Sequence, residues 1–334
     1  MHDHSSWNSV EHHVPTNSCV HAGPAGAGVA TVVGMLVALA LPLQVAWAAA
    51  PVPAPARTTA RPGTLTGKQN RLVDDLLASY RPYACCSDSL AACLKQDPVC
   101  PLAARLERAI RRMVAAGLDK TAIETALAQR QATMKVERPR ATIVLDDRFR
   151  AGNANALVTL AIYACPRQEA CAKLVPDLHR EVTDGRLKDK AVVGYRPFFA
   201  PGNAEALECG RGLYAAAYQG KFWPYLLHLC TERENLQRPT LRDWVGQHGL
   251  DRCIFDHTCE QPGTAAWLEA SRKEGLANGV TTAPAAFVNG RRVQGMLDLD
   301  TLVDLAEEEF ERLAKTPARE SATIKWPGHE PSRK

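Results

Sequence analysis

A chain of 334 residues is longer than one hydrophobic core ordinarily sustains, so two domains with tails are the starting expectation. Hydrophobic residues make up 46% and charged residues 23%, with a formal net charge of +4, which excludes a largely disordered chain, a bundle of membrane spans and a strongly basic nucleic-acid binder. Eleven cysteines are the anomaly, and ten of them (Cys85, Cys86, Cys93, Cys100, Cys165, Cys171, Cys209, Cys230, Cys253 and Cys259) follow an apolar N-terminal segment, an even number that fits disulfides in an oxidising compartment.

That compartment is signalled by residues 29–50, an almost unbroken apolar run ending with the small residues Ala46 and Ala48 around Trp47, as signal peptidase requires. Residues 1–48 read as an export signal or, at about 20 apolar residues, as an uncleaved anchor facing the periplasm. The first 28 residues carry no Lys or Arg, only His2, His4, His12, His13 and His21, whose irregular spacing does not suit a metal site.

Residues 49–65 form a linker rich in Ala, Pro and Thr, which cannot bury enough apolar surface to fold. Thr66 and Gln69 have capping-box spacing, and Leu72, Val73, Leu76, Leu77 and Tyr80 recur at helical intervals, predicting a helix over residues 67–80. A cysteine-rich loop follows. Pro101 then opens a second helix with the stripe Leu102, Leu106, Ile110, Met113 and Val114, and Gly117 closes it. A third helix from Asp119 to Met134 turns Ile123, Ala126 and Leu127 inward, completing a helical module over residues 66–134. Cys85, Cys86, Cys93 and Cys100 are expected to staple it through two disulfides. Four thiolates at these intervals lack the paired knuckles of a zinc site.

From residue 135 the pattern changes to α/β, with residues 135–139 as an exposed linker. Residues 141–145 and 157–163 are β-rich runs separated by Ala151, Gly152 and Asn153 as a turn. A helix over residues 166–181, a strand over 191–198, and a mostly helical stretch over 204–270 follow. Then come two short strands, 285–288 and 291–295, joined at Asn289 and Gly290, and a helix over 300–313. Strand, helix, strand, helical insertion, hairpin, helix is the order of a thioredoxin-type sheet with an inserted helical subdomain, over residues 135–315. Residues 316–334 are polar and proline-bearing and read as a flexible tail. Cys253 and Cys259 flank Asp256, His257 and Thr258 and are expected to form a structural disulfide, with His257 on the surface.

Three stretches resemble the DsbA-like thioredoxin-fold thiol-disulfide oxidoreductases: Val158 through Tyr163 as the central strand, Gln219 through Trp223 within the inserted helices, and Gly279 through Gly290 as the cis-proline strand and hairpin. The resemblance implies a groove for extended polypeptide floored by Pro284, with Ala283 before it where the family more often has Thr or Val. It also implies a Cys-x-x-Cys at the start of the helix after the central strand, and here the sequence departs from the pattern. Cys171 and Pro176 keep the spacing of the second cysteine and the helix-kinking proline, but an ungapped count back places Gln168 at the nucleophile position. In the alternative alignment Cys165, followed by Pro166, is the attacking end, with an insertion before Cys171. A thiolate at a helix N-terminus is stabilised there. Within one regular helix, however, the two cysteines stand about 9 Å apart along the axis, beyond the roughly 7 Å Cα limit of a disulfide, so they meet only if Cys165 lies in the loop before the helix.

The first module resembles, more weakly, the helical hairpin of CcmH-type cytochrome c maturation proteins, on Cys100 through Leu106, Gly117 and Ile123, without that family's Cys-x-x-Cys. No haem-attachment motif, phosphate loop or His-Glu-x-x-His occurs, so no cofactor or metal is expected. Three functions remain open: thiol-disulfide exchange on cysteines of exported polypeptides through Cys165 and Cys171, a non-catalytic peptide-binding module using the same groove, and an accessory role in cytochrome c maturation.

Overall fold

The computed structural model describes residues 65–135, 140–236, 238–315 and 324–325. The apolar segment 29–50, nearly all of the first linker, residues 136–139 of the second linker and all but two residues of 316–334 lie outside the described residues. Among the described residues no helix is long and apolar enough to cross a membrane.

The N-terminal module holds α1 (Gly67–Ser79), α2 (Leu90–Cys93), α3 (Pro101–Ala115) and α4 (Lys120–Met134). The capping box forms: Gln69 N–H donates to Thr66 Oγ1 at 3.3 Å and Thr66 N–H to Gln69 Oε1 at 2.9 Å. Gly117, at φ 84°, turns the chain out of α3 in the left-handed region that a side chain would resist. Val73, Leu76, Leu90, Leu106, Ile110 and Ile123 are buried together, while Ala126, expected inward, is half-buried. Cys85 pairs with Cys100 and Cys86 with Cys93 across the loop that precedes α3.

Next come β1 (Ile143–Val144), β2 (Arg150–Gly152), β3 (Val158–Ala164), α5 (Glu169–Thr183) and β4 (Ala191–Pro197). The insertion comprises α6 (Ala204–Tyr218), α7 (Phe222–Thr231), α8 (Arg238–Gln247), α9 (Arg252–Glu260) and α10 (Pro262–Ala277), and the chain closes with β5 (Ala285–Val288), β6 (Arg291–Arg292), α11 (Leu299–Ala314) and β7 (Ile324–Lys325). The main sheet has the order β2-β4-β3-β5-β6, with β3 and β4 parallel and the other pairings antiparallel. This is the thioredoxin fold with a helical insertion.

β3 is buried throughout because both its faces are covered, and it is apolar but for Thr159 and the Tyr163 hydroxyl. Leu160, Ile162 and Ala164 share a core with Leu174, Val175 and Leu178 of α5 and Leu302 and Val303 of α11, while Ala161 and Tyr163 point to the opposite face with Phe198, Phe287 and Ile143. At the hairpin, Asn289 and Gly290 have φ 46° and 78°, the left-handed pair that a two-residue turn demands.

Two expectations are corrected. Ala151 and Gly152 belong to edge strand β2, opposite Val193 and Val192, and the turn begins only at Asn153, whose Oδ1 accepts Asn155 N–H at 2.9 Å. Small residues suit this position because a Cβ on Gly152 would stand 2.7 Å from the Ala191 carbonyl oxygen. Within the segment read as a flexible tail, Ile324 and Lys325 pair in parallel with Ile143 and Val144, and a β-branched residue such as Ile324 favours extended backbone.

Oppositely charged helices join the module to the sheet domain. Arg105 of α3 pairs with Glu311 and, at 3.6 Å, Glu307 of α11, and Arg130 of α4 reaches Glu308 at 3.0 Å, with Tyr83 OH donating to the same carboxylate at 2.8 Å. Asp304, with no exposed surface, faces Arg186 at 3.1 Å, Arg112 at 3.5 Å and Arg108 at 3.6 Å.

Candidate functional site

The two cysteines expected to carry chemistry meet at the junction of β3 and α5. Cys165 lies in the loop between these elements, not in the helix, so the axial separation that would hold it from Cys171 does not apply. The Gln168 N–H donates to the Cys165 carbonyl at 3.0 Å, and the backbone N–H groups of Arg167 and Gln168 lie near enough to the Cys165 sulfur, and that of Cys165 near enough to the Cys171 sulfur, to favour the charged form of each. Cys171, in the first turn of α5, has no exposed surface, and its thiol donates to Gln168 Oε1 at 3.5 Å. Gln168 is the N-cap residue of α5 but makes no capping bond with its side chain; the amide is turned toward the thiol instead. The structure therefore brings Cys165, Gln168 and Cys171 into one turn.

Electrostatically the site is a poor generator of thiolates. Burial raises the Cys165 thiol above its ordinary value, and the two N–H groups and the Arg167 guanidinium offset this only in part. Burial pushes Cys171 up to about 12, with the neighbouring Cys165 adding to the rise against the N–H it donates. Cys165 is 2% exposed, so an incoming sulfur needs local opening at the loop, where Arg167 is ion-paired to Glu205 at the start of α6.

The Ala283–Pro284 peptide is cis. β3 and β5 pair with Tyr163 opposite Ala285, so Pro284, just before β5, and Cys165, just after β3, lie at the same end of the sheet. Both Ala283 and Pro284 are half-buried.

Sequence reading left three site residues unassigned. Tyr195 on β4, 1% exposed, donates to the Ala164 carbonyl at 2.8 Å and stands among the thiols of Cys165, Cys230, Cys171 and Cys209. Burial pushes Cys209 of α6 up to about 12, with the Cys165 thiol adding to it, and raises Cys230 of α7, which Cys171 and Cys165 raise further. The cysteine count alone pointed to these two residues; nothing in their spacing placed them here.

The expected Cys253–Cys259 bridge is not formed. Both residues lie in the single helix α9, six positions apart, about 9 Å along its axis and on different faces. His257, on the same helix, is exposed and contacts Gln261 at 2.6 Å. Among the described residues no group of three or more His, Cys, Asp or Glu side chains is placed to hold a metal ion.

Residues 145–308 match the family model described as thioredoxin. The C-terminal half of the chain belongs to the thioredoxin family. Its thioredoxin domain is similar to a thioredoxin-like oxidoreductase from Silicibacter pomeroyi DSS-3, at 18% identity over 50% of this chain and 92% of that one, with a TM-score of 0.44. It is also similar to the catalytic domain of Proteus mirabilis ScsC (14% identity, 56% of this chain and 98% of that one, TM-score 0.42) and to oxidised BdbD from Bacillus subtilis (12%, 52% and 100%, TM-score 0.44). Among curated proteins, 97 residues are 33% identical to part of the Na(+)/H(+) antiporter NhaA of Herminiimonas arsenicoxydans, over 29% of this chain and only 16% of that protein's length.

Proposed function

We propose that the thioredoxin domain carries out slow, specialised thiol-disulfide exchange on cysteines of exported polypeptides, with Cys165 as the attacking thiol and Cys171 as its resolving partner. The observation that carries this reading is that Cys165, in the loop just before α5, and Cys171, in the first turn of that helix, lie close enough for Cys165 to act on the Cys171 thiol despite the altered spacing. Cys165 thiolate attacks a substrate disulfide, forming a mixed disulfide and expelling one substrate thiolate. Cys171 then attacks Cys165, forming the intramolecular bond and expelling the other. Extended polypeptide lies along Ala283 and Pro284, at the end of the β3–β5 ladder from which Cys165 follows. The apolar segment 29–50 and the two disulfides of the module support export.

Insulin reduction tests this. Turnover well below that of a normal Cys-x-x-Cys relative, abolished in Cys165→Ala, is the expected result, and robust turnover surviving in Cys165→Ala overturns the assignment. A second reading, a peptide-binding module without exchange, is favoured by the almost complete burial of both thiols, and absence of any turnover in the native protein would select it.

A further inference from the structure

The two disulfides of the N-terminal module sit in different surroundings. Cys86–Cys93 ends on Cys93, which has no exposed surface and belongs to the core beneath α1 and α3. Cys85–Cys100 instead joins an exposed cysteine to the residue that caps a 15-residue helix. Cys100 is 6% exposed, and its sulfur accepts the N–H of Ala103 at 3.4 Å. Proline follows at the first position of α3, and the first turn holds no acidic residue to oppose a negative sulfur. Independently of the helix end, a cavity of about 540 Å³ opens beside Cys85, lined by Tyr83, Pro101, Leu102 and Met134 together with charges of both signs, four basic side chains against Glu308 and Glu311.

We propose that Cys85–Cys100 is a second thiol-disulfide exchange site, at which a cysteine-bearing polypeptide seated in the adjoining cavity reacts at the sulfur of the exposed residue Cys85. An incoming thiolate attacks Cys85 Sγ; the new S–S bond to Cys85 forms as the Cys85–Cys100 bond breaks, and Cys100 takes the electron pair as thiolate. The Ala103 N–H and the positive end of α3 stabilise that leaving group, and better-stabilised thiolates leave faster. A second thiolate of the same polypeptide attacks the substrate sulfur of the mixed disulfide and expels Cys85. Two substrate thiols are thereby oxidised to one disulfide with loss of two protons, and Cys85 and Cys100 are reduced to thiols, which take up two. Attack from the other side is shielded, because Cys100 is buried. The apolar part of the lining, Tyr83, Pro101, Leu102 and Met134, favours an apolar residue next to the reactive cysteine.

The native full-length protein, oxidised, is exposed to reduced glutathione for increasing times, quenched with acid, alkylated and peptide-mapped. Glutathione on Cys85 with alkylated Cys100 should accumulate about tenfold or more faster than any adduct on Cys86 or Cys93. Equal rates, earlier opening of Cys86–Cys93, or adducts chiefly on Cys100 overturn the proposal. In Ala84→Trp, at an exposed residue lining the same cavity, exchange with a two-cysteine peptide bearing apolar flanks should slow about tenfold while glutathione exchange is little changed. An unchanged peptide rate would refute the cavity as the substrate's seat. Both readouts are mapped to cysteines of the module, so loss of exchange at Cys165 would leave them intact.

Discussion

Replacing Glu309 by Gln isolates the interaction that ties the hairpin after Pro284 to the last helix. Glu309 has no exposed surface; its carboxylate accepts from Arg291 at 2.6 Å, Arg312 at 2.8 Å and Asn289 at 3.1 Å, while Asn289 Oδ1 accepts the N–H of Thr159 at 2.7 Å. Arg291 is itself 4% exposed, so removing the carboxylate charge leaves a guanidinium buried without its counter-ion. Breaking a buried pair on one side costs about 3 to 5 kcal/mol, equivalent to a fall in melting temperature of about 6 to 20 °C for a domain of this size. Burial by itself would raise the Glu309 carboxyl, but Arg312, Arg291 and Asn289 more than offset it and hold the group below its ordinary value. Its contribution is thus fully present above the unfolded glutamate value and lost as pH falls through the lower folded one, so the gap between native protein and variant should narrow below pH about 4. Thermal unfolding followed by circular dichroism across pH measures both effects. A shift under about 2 °C at neutral pH, or a gap that stays constant into acid, would refute the reasoning.

Gly275 allows α10 to approach the sheet, and a Cβ there would stand 2.9 Å from the Phe198 ring and 3.1 Å from Tyr163; Gly275→Ala should cost about 1 to 3 kcal/mol in urea unfolding. Asp304→Asn removes the buried charge facing Arg186, Arg112 and Arg108 and should loosen the join between module and sheet by about 1 to 3 kcal/mol, visible as earlier proteolysis after α4. With its thiol raised by burial, Cys165 should show an alkylation rate still climbing past pH about 8.5, where a free cysteine is half ionised, and Cys171, pushed up to about 12, should lag behind it throughout. A plateau below that pH, or Cys171 reacting first, would contradict the site's electrostatics.

Local signals made much of the fold legible. Pro101 and Gly117 delimit α3, the apolar run from Val158 specifies a strand covered on both faces, and Asn289-Gly290 supplies the turn chemistry of the hairpin. Of the candidate site, Cys165, Cys171 and Pro284 were legible because each keeps a fixed offset from β3, α5 or β5. Cys209 and Cys230 were not, since only the packing of α6 and α7 on the sheet brings them near Tyr195. The Cys253–Cys259 pairing is not legible from spacing because two cysteines flanking a short polar segment look alike in a loop and in a helix, and here the segment is helical. The docking of α3 and α4 on α11 rests on charges that, in sequence, read only as solvated helix faces.

The central claim is that Cys165 is the sulfur of the thioredoxin domain that meets substrate. A single peptide carrying an activated mixed disulfide, incubated with the native protein, trapped by acid and mapped by mass spectrometry, tests it directly. The structure predicts that, within residues 145–308, the peptide is linked to Cys165 and that on longer incubation it is released as the Cys165–Cys171 bond appears. Linkage instead to Cys171, Cys209 or Cys230, with Cys165 untouched, would contradict it.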